Sequence, residues 1–97
     1  MLSLVDAKEV AITYLEKASE RSKIDLRLLE DETIEFEIGW MFFYQSEEFI
    51  ESGDIMKMLV GNSPIIIDKR NGDLSIPGTA YPSEFYIEKY VKDFSTF

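Results

Sequence analysis

Carboxylates are the side chains of this sequence with the clearest capacity for chemistry. The 97 residues include 19 Asp and Glu but neither histidine nor cysteine. The commonest general base and the strongest side-chain nucleophile are therefore missing, which excludes Ser-His-Asp and Cys-His arrangements. Two acids at a set separation can hydrolyse a glycosidic bond, but Glu35/Glu37 and Glu47/Glu48/Glu51 lie in segments that read as exposed. An exposed carboxyl is a poor acid catalyst, so the sequence predicts a protein that is not an enzyme.

Metal sites and cofactor motifs are also poorly supplied. Residues 68–73 begin like a calcium loop, but the segment is short and lacks the distal bidentate glutamate. Turn chemistry accounts for Asp68, Asn71 and Gly72 without any ion. Residues 61–63 lack the lysine and the second glycine of a phosphate loop, and no dinucleotide fingerprint occurs. We therefore expect no catalytic residue, no cofactor and no metal.

The charge balance favours a protein partner. Ten Lys and Arg against 19 Asp and Glu give a formal net charge of −9. Binding of nucleic acid depends on Lys and Arg that neutralise phosphates, so this balance opposes it, and an anionic membrane surface is disfavoured for the same reason. A basic protein surface suits the negative charge. We expect a protein partner, and neither a nucleic acid nor a membrane.

The negative charge is concentrated in one stretch. No Lys or Arg occurs between Leu28 and Met56. The acids of that stretch are Glu30, Asp31, Glu32, Glu35, Glu37, Glu47, Glu48, Glu51 and Asp54. Two interpretations remain open: an ordinary solvated surface, or an electronegative patch that steers a basic partner.

Length and composition predict a single folded domain over residues 1–97. The sequence is 45% hydrophobic and 13% aromatic, which is enough to build a core. No apolar run approaches the ~20 residues of a membrane span, and the N-terminus has no signal pattern. The absence of cysteine suits a reducing compartment. We expect a cytoplasmic protein, and the sequence leaves a homo-oligomer open.

Helices are predicted at both ends of the chain. Asp6 is the expected N-cap of the first, with Glu9 three residues later, and an apolar stripe continues to about Ser19. That stripe would cover a sheet. Pro82 or Ser83 opens the last helix. Its broad apolar face consists of Phe85, Tyr86, Ile87, Tyr90, Val91 and Phe94.

Four strands and a small helical insertion are predicted between these helices. The strands are residues 26–30, 34–45, 64–68 and 74–77. Asn71-Gly72 favours the positive φ values of a hairpin turn between the last two strands. In the insertion, residues 46–53 read as a loop or helical turn, and Asp54 caps a short helix through Leu59. The fold class is therefore α+β, with a mainly antiparallel sheet.

Residues 34–45 alternate strongly. The apolar even positions are Ile34, Phe36, Ile38, Trp40, Phe42 and Tyr44. An uninterrupted strand places them on one face, with Trp40 in the core, although a bulge at Gly39 would flip the register beyond it. The opposite face then presents Met41 and Phe43. They form either an exposed apolar patch rimmed by acids or a surface covered by the apolar residues of the insertion.

The predicted partner-binding surface combines these acids and apolar side chains. Its residues are Glu35, Glu37, Met41, Phe43, Glu47, Glu48, Glu51 and Asp54.

Several short motifs in a fixed order resemble one known family. They are the run Gly39–Gln45, the turn Ser52-Gly53-Asp54, Gly61-Asn62-Ser63-Pro64 leading into Ile67-Asp68, Asn71-Gly72, Gly78–Pro82 and Tyr86-Ile87-Glu88. Over roughly residues 36–90 the chain resembles the YrhB-like, or immunity protein 35, family. The family often has Thr-Gly in the hairpin turn and Thr before the second Gly. This chain has Asn71-Gly72 and Pro77-Gly78 at these places, and both departures lie in turns.

The resemblance implies a small bacterial protein that protects its producer by binding a polymorphic toxin. Such proteins act by stoichiometric occlusion, without turnover. The resemblance also implies an alternative, because some members are described as small chaperone-like proteins without a dedicated toxin. It supplies no residue-level binding motif.

Overall fold

The computed structural model of the protein describes residues 1–94. Three helices and six strands occur in this range, which confirms the α+β class. In chain order they are α1 (Leu4–Ser22), β1 (Leu26–Leu28), β2 (Ile34–Phe36), β3 (Gly39–Phe42), β4 (Tyr44–Ser46), α2 (Glu47–Ser52), β5 (Ile65–Asp68), β6 (Leu74–Ser75) and α3 (Ser83–Phe94). Two 3₁₀ turns, Glu30–Glu32 and Ile55–Lys57, lie between them.

The strands form two antiparallel sheets. One has four strands in the order β2-β3-β5-β6, and β1 pairs with β4 in the other. The predicted strands at residues 26–30, 64–68 and 74–77 are confirmed as β1, β5 and β6. A four-stranded antiparallel sheet is present as predicted, but its strands differ from the predicted ones. Residues 34–45 contribute two strands to it and one to the second sheet.

The break in residues 34–45 is a hairpin turn at Glu37 and Ile38. Phe36 pairs with Gly39, and Ile34 with Met41, so β2 and β3 run antiparallel. Two-residue hairpins usually need Gly or Asn, because their turns have positive φ. Among residues 1–94, Lys23 is the only non-glycine residue with positive φ. The turn therefore has no residue that marks it in the sequence.

Gly39 lets β3 and β5 approach closely. A Cβ at Gly39 would lie 2.5 Å from the backbone oxygen of Ile67 and 3.1 Å from the ring of Phe36. The predicted special role of Gly39 therefore has a different cause. It accommodates the neighbouring strand, and neither the uninterrupted strand nor the bulge that the sequence left open at Gly39 is found.

Helix α1 packs on one face of the four-stranded sheet. Its Ala7, Ala11 and Leu15 are buried against Trp40 and Phe42 in one core cluster. Trp40 as a core residue is confirmed. The N-cap is Ser3, and Asp6 completes a capping box from the third helical position, so the prediction of Asp6 as N-cap was wrong.

Helix α3 packs on the opposite face. Tyr90 forms a second core cluster there with Ile38, Met41 and Ile66. Met41 is therefore fully buried. Its prediction as an exposed anchor was wrong, and so was the alternative that the insertion covers it. The two helices take opposite faces because β5 is apolar on both sides, as an internal strand requires.

Candidate functional site

The structure divides the predicted binding residues among three places. Glu47, Glu48 and Glu51 lie on α2, and Asp54 caps the 3₁₀ turn that follows. Glu35 and Glu37 lie on β2 and its hairpin turn, Met41 lies in the core, and Phe43 is half-buried beside it. The acids of the insertion and those of the β2–β3 hairpin therefore lie on separate elements.

Residues 47–62, the insertion, are held against β4 by polar side chains. The Gln45 side chain accepts from the Leu59 N–H at 2.7 Å and donates to the Leu59 carbonyl at 3.0 Å. Ser46 Oγ donates to the Lys57 carbonyl at 2.6 Å and accepts from the Phe49 N–H at 3.1 Å. Asn62 donates to the Tyr44 carbonyl at 2.9 Å.

Polar side chains hold the insertion in place, and large apolar side chains of the insertion remain exposed to water. Met56 and Val60 are each 85% exposed, and Ile55 is 71% exposed. These residues belong to one segment, Ile55–Val60, which we call the exposed apolar segment. Because hydrogen bonds from Gln45 and Ser46 hold its backbone at Lys57 and Leu59, the segment presents apolar groups without needing a core beneath them.

Sequence reasoning did not predict that this segment is exposed. It considered Ile55, Met58 and Leu59 only as a cover for Met41 and Phe43. A usable signal was present, since an almost uninterrupted apolar run follows a capping aspartate within a turn-rich acidic region. Such a run exposed at a surface is typical of an interaction site.

The acids around the insertion are partly neutralised by bases from outside the acidic stretch. Arg27 on β1 forms ion pairs with Glu47 and, at 3.3 Å, with Glu51. Lys57 pairs with Glu48 at 3.6 Å. The hydrogen bond to Glu47 raises the pKa of the Arg27 guanidinium above its usual value. The stretch that lacks positive charge in sequence is therefore not a uniformly negative surface in the structure.

A cleft of about 590 Å³ opens between the end of α1 and the insertion. Acidic and apolar groups both line it. Its lining residues are Lys23, Ile24, Asp25, Ser46, Glu47, Glu48, Glu51, Met56, Lys57, Met58 and Leu59. Four carboxylates against two lysines leave the cleft negative.

The acids near the β2–β3 hairpin have a different environment. Glu35 pairs with Lys69 at 2.7 Å, and the same ammonium lies 5.1 Å from the centre of the Trp40 ring. Glu37 is exposed in the turn, and among the described residues it has no ion pair. These two acids do not join the cleft.

The most perturbed titratable groups belong to a structural network. Buried Asp68 accepts hydrogen bonds from Arg70 at 2.8 Å and from the Tyr90 hydroxyl at 2.9 Å. The hydrogen bonds from Arg70 lower the pKa of Asp68 to about 2. Burial and the bond to Asp68 raise the pKa of Tyr90 to about 12. A carboxylate held ionised in this way is a poor proton donor, so the network stabilises α3 and supplies no acid catalyst.

Within the part of the chain that the structure describes, no group of three His, Cys, Asp or Glu side chains is arranged to hold a metal ion. Over the same residues, 1–94, no helix combines the length and the apolar character needed to cross a membrane.

The described residues form an α+β fold with an exposed apolar segment. The chain belongs to the immunity protein 35 family, whose sequence model matches residues 5–92. The resemblance inferred from the motifs is thereby confirmed.

One curated relative is an Escherichia coli K12 protein described as uncharacterized protein YrhB. It is 44% identical over 62 residues, which cover 64% of this chain and 66% of that protein. The match thus spans just under two thirds of the relative's length. No solved structure matches the chain significantly.

Proposed function

We propose that this protein binds a bacterial toxin and neutralises it by stoichiometric occlusion. Membership of the immunity protein 35 family supports a toxin-immunity role. The observation that carries the proposal is the exposed apolar segment, in which Met56 and Val60 are each 85% exposed. A protein that only had to fold would gain by burying these side chains.

The energetics of the segment fit a binding role. Burying a Val or Met side chain is worth about 1.5–3 kcal/mol. Binding also costs about 0.5–1.5 kcal/mol for each flexible side chain that it immobilises, and a backbone already held in place lowers the total ordering cost. The hydrogen bonds of Gln45 and Ser46 to this segment therefore support affinity as well as folding.

The acids of the insertion form the proposed rim of the site. Glu47, Glu48 and Glu51 line the same cleft as Met56, Met58 and Leu59, and Asp54 caps the adjoining 3₁₀ turn. A polar rim beside an apolar centre is common in protein interfaces. Arg27 and Lys57 already neutralise part of this charge, so the rim is expected to steer a basic partner less strongly than its number of acids suggests. We propose a cytoplasmic encounter with a toxin whose surface is basic around an apolar pocket.

The remaining predicted residues have subordinate parts in the proposal. Glu35 and Glu37 would be reached only by a partner that spans the sheet from the insertion to the β2–β3 hairpin. Phe43 is half-buried and Met41 fully buried, and both pack in the core cluster beneath α3. We therefore assign Met41 and Phe43 no direct contact with the toxin.

A general chaperone-like role is the second candidate. Met56 and Met58 are exposed, and flexible thioether side chains are common at surfaces that bind many partners. This role predicts that aggregation of unrelated clients is suppressed. A dedicated immunity protein predicts one tight partner and no general protection.

Val60→Asp tests the proposed site. It places a charge within the exposed apolar segment, and we expect at least about a tenfold loss of affinity for the toxin, since 1.4 kcal/mol corresponds to a factor of ten. Val5→Asp is the matched control, because Val5 is also exposed but lies on α1, away from the insertion. Calorimetric titration with the product of a toxin-like reading frame next to the gene supplies the measurement.

The two variants together decide the location of the site. Loss of affinity in Val60→Asp with normal binding by Val5→Asp supports the insertion. Equal affinity of both variants for the toxin would show that the insertion is not the binding site. The immunity role would not be contradicted by that result. An absence of any toxin-like reading frame beside the gene, with protection of unrelated clients, would favour the chaperone-like role.

A further inference from the structure

A second surface lies on the opposite side of the four-stranded sheet from α1. A groove of about 460 Å³ runs between edge strand β6 and helix α3. Its lining includes Pro77 and the aromatic side chains of Tyr81, Phe85, Tyr86, Tyr90 and Phe94. Tyr81, Phe85 and Phe94 are exposed. It shares no lining residue with the cleft beside the insertion.

The charges of this groove are balanced. Lys89 and Asp93 are the charged residues that line it, and they form an ion pair at 2.8 Å. The cleft at the insertion, in contrast, has an excess of carboxylates. A strongly basic partner would therefore favour the insertion over this groove.

Phe85, Lys89 and Asp93 also form one stripe of α3. They are spaced by four residues, so they lie above one another on the helix surface. Along this stripe an apolar group is followed by a positive and then by a negative group. Such an order is complementary to itself when two copies run antiparallel, because each charge then meets its opposite.

We propose that this groove binds a second copy of the chain, with the two α3 helices packed antiparallel about a two-fold axis. The axis passes midway between Lys89 and Asp93, so that Lys89 of each copy faces Asp93 of the other. The same axis brings Phe85 of one copy within about one helical turn of Phe94 of the other. The exposed aromatic side chains of both copies are then buried together.

Electrostatics favour this face over the rest of the surface for self-association. The chain has a formal net charge of −9, so two copies repel one another wherever acids predominate. The groove combines balanced charge with exposed aromatic rings, and strand β6 has no strand partner on its outer side among the described residues. This dimer leaves the insertions of both copies free.

Charge exchange at the stripe provides the test. Sedimentation velocity of the full chain from micromolar to millimolar concentration is expected to show a monomer–dimer equilibrium. Lys89→Asp and Asp93→Lys are each expected to weaken the dimer by about tenfold or more, since each sets like charges opposite one another. A mixture of the two variants is expected to restore association, because the aspartate introduced in one variant then faces the lysine introduced in the other.

Two further variants serve as a control and as an independent test of the dimer. Glu84→Lys changes an exposed charge on α3 outside the groove, and it is expected to leave the dimer intact. Phe85→Ser tests the apolar contact independently if either charge variant fails to fold, as judged by circular dichroism. A chain that stays monomeric at millimolar concentration, a dimer unaffected by Lys89→Asp and Phe85→Ser, or a mixture that fails to associate would each overturn the proposal.

Discussion

Asp68 shows how strongly one buried side chain can tie two elements together. This residue is 1% exposed and lies at the end of β5. Arg70 bonds to it through both the backbone and the guanidinium, and also donates to the Phe94 carbonyl at the end of α3. Tyr90 of the same helix donates its hydroxyl to Asp68. The charge is thus fully paired, which is the condition for burying it.

The low pKa of Asp68 makes stability depend on pH. In the unfolded chain this carboxyl has a pKa of 3.8, and in the folded protein about 2. The stabilisation is therefore present above pH 3.8 and is lost as the pH falls toward 2. A shift of this size corresponds to about 2 kcal/mol. We expect Asp68→Asn to remove this pH dependence and to lower stability at pH 7 by about 2–3 kcal/mol.

Urea unfolding at pH 7, 4 and 2.5 measures both effects. Asp73→Asn is the matched control, because Asp73 is an exposed acid in the same hairpin loop. A wild-type protein whose stability falls between pH 4 and 2.5 no more than that of Asp68→Asn would contradict the assignment.

The insertion is an element whose position depends on its hydrogen bonds. None of its residues from Glu47 to Val60 is buried, and their burial ranges from intermediate to exposed. The side-chain amide of Gln45 bonds to both backbone groups of Leu59, as the backbone of a neighbouring strand would. The β2–β3 hairpin, by comparison, is fixed by apolar packing of Ile38 under α3.

Gln45→Met keeps the size of the side chain but cannot form both bonds to Leu59. We expect a loss of about 1–2 kcal/mol in global stability, together with faster hydrogen exchange at the Leu59 amide. Affinity for the toxin should also fall, since the apolar segment would lose its fixed backbone. Native-state hydrogen exchange followed by NMR measures the local effect.

Ser52→Ala is the comparison for this variant. The Ser52 hydroxyl donates to the Glu48 carbonyl within α2, so its loss weakens the helix without releasing the insertion from β4. Equal exchange at Leu59 in both variants would show that Gln45 does not hold the segment.

At the scale of the whole molecule, charge is the dominant property. The net charge of −9 favours encounters with basic surfaces and opposes those with other acidic chains. The tertiary structure changes how this charge is distributed. It brings Arg27, Lys57 and Lys69 into ion pairs with acids, most of which are distant from them in the sequence. The long-range field is therefore weaker at the insertion than the sequence predicts.

Reversal of Glu47, Glu48 and Glu51 to Lys tests steering by the insertion. Association with the toxin should slow by about tenfold at low salt, and its dependence on ionic strength should decrease. Reversal of Glu9, Glu84 and Glu88 makes the same change in net charge at exposed sites elsewhere and is the control. Stopped-flow kinetics at several salt concentrations give both quantities. Equal rates for the two triple variants would show that net charge alone steers the encounter.

Elements with strong local signals were predictable. The amphipathic spacing of α1 and α3, the Asn71-Gly72 turn and the apolar run of β5 each depend on neighbouring residues. The β2–β3 hairpin was not predictable in this way, because Glu37 and Ile38 carry no turn signal and their conformation is stabilised by packing against α3. Alternation across residues 34–45 therefore predicted one strand where the chain folds back.

The same distinction applies to the candidate site, since some of its properties follow from the sequence and others only from the tertiary structure. Composition and order along the chain determined the acidic character, the absence of His and Cys chemistry, and the family resemblance, because these properties do not depend on coordinates. Whether Met41 or Met56 reaches solvent was decided only by the tertiary structure. Both are methionines in apolar runs, and their exposure depends on which element packs over them. Helix α3 covers Met41, whereas the hydrogen bonds of Gln45 and Ser46 hold the segment of Met56 in water.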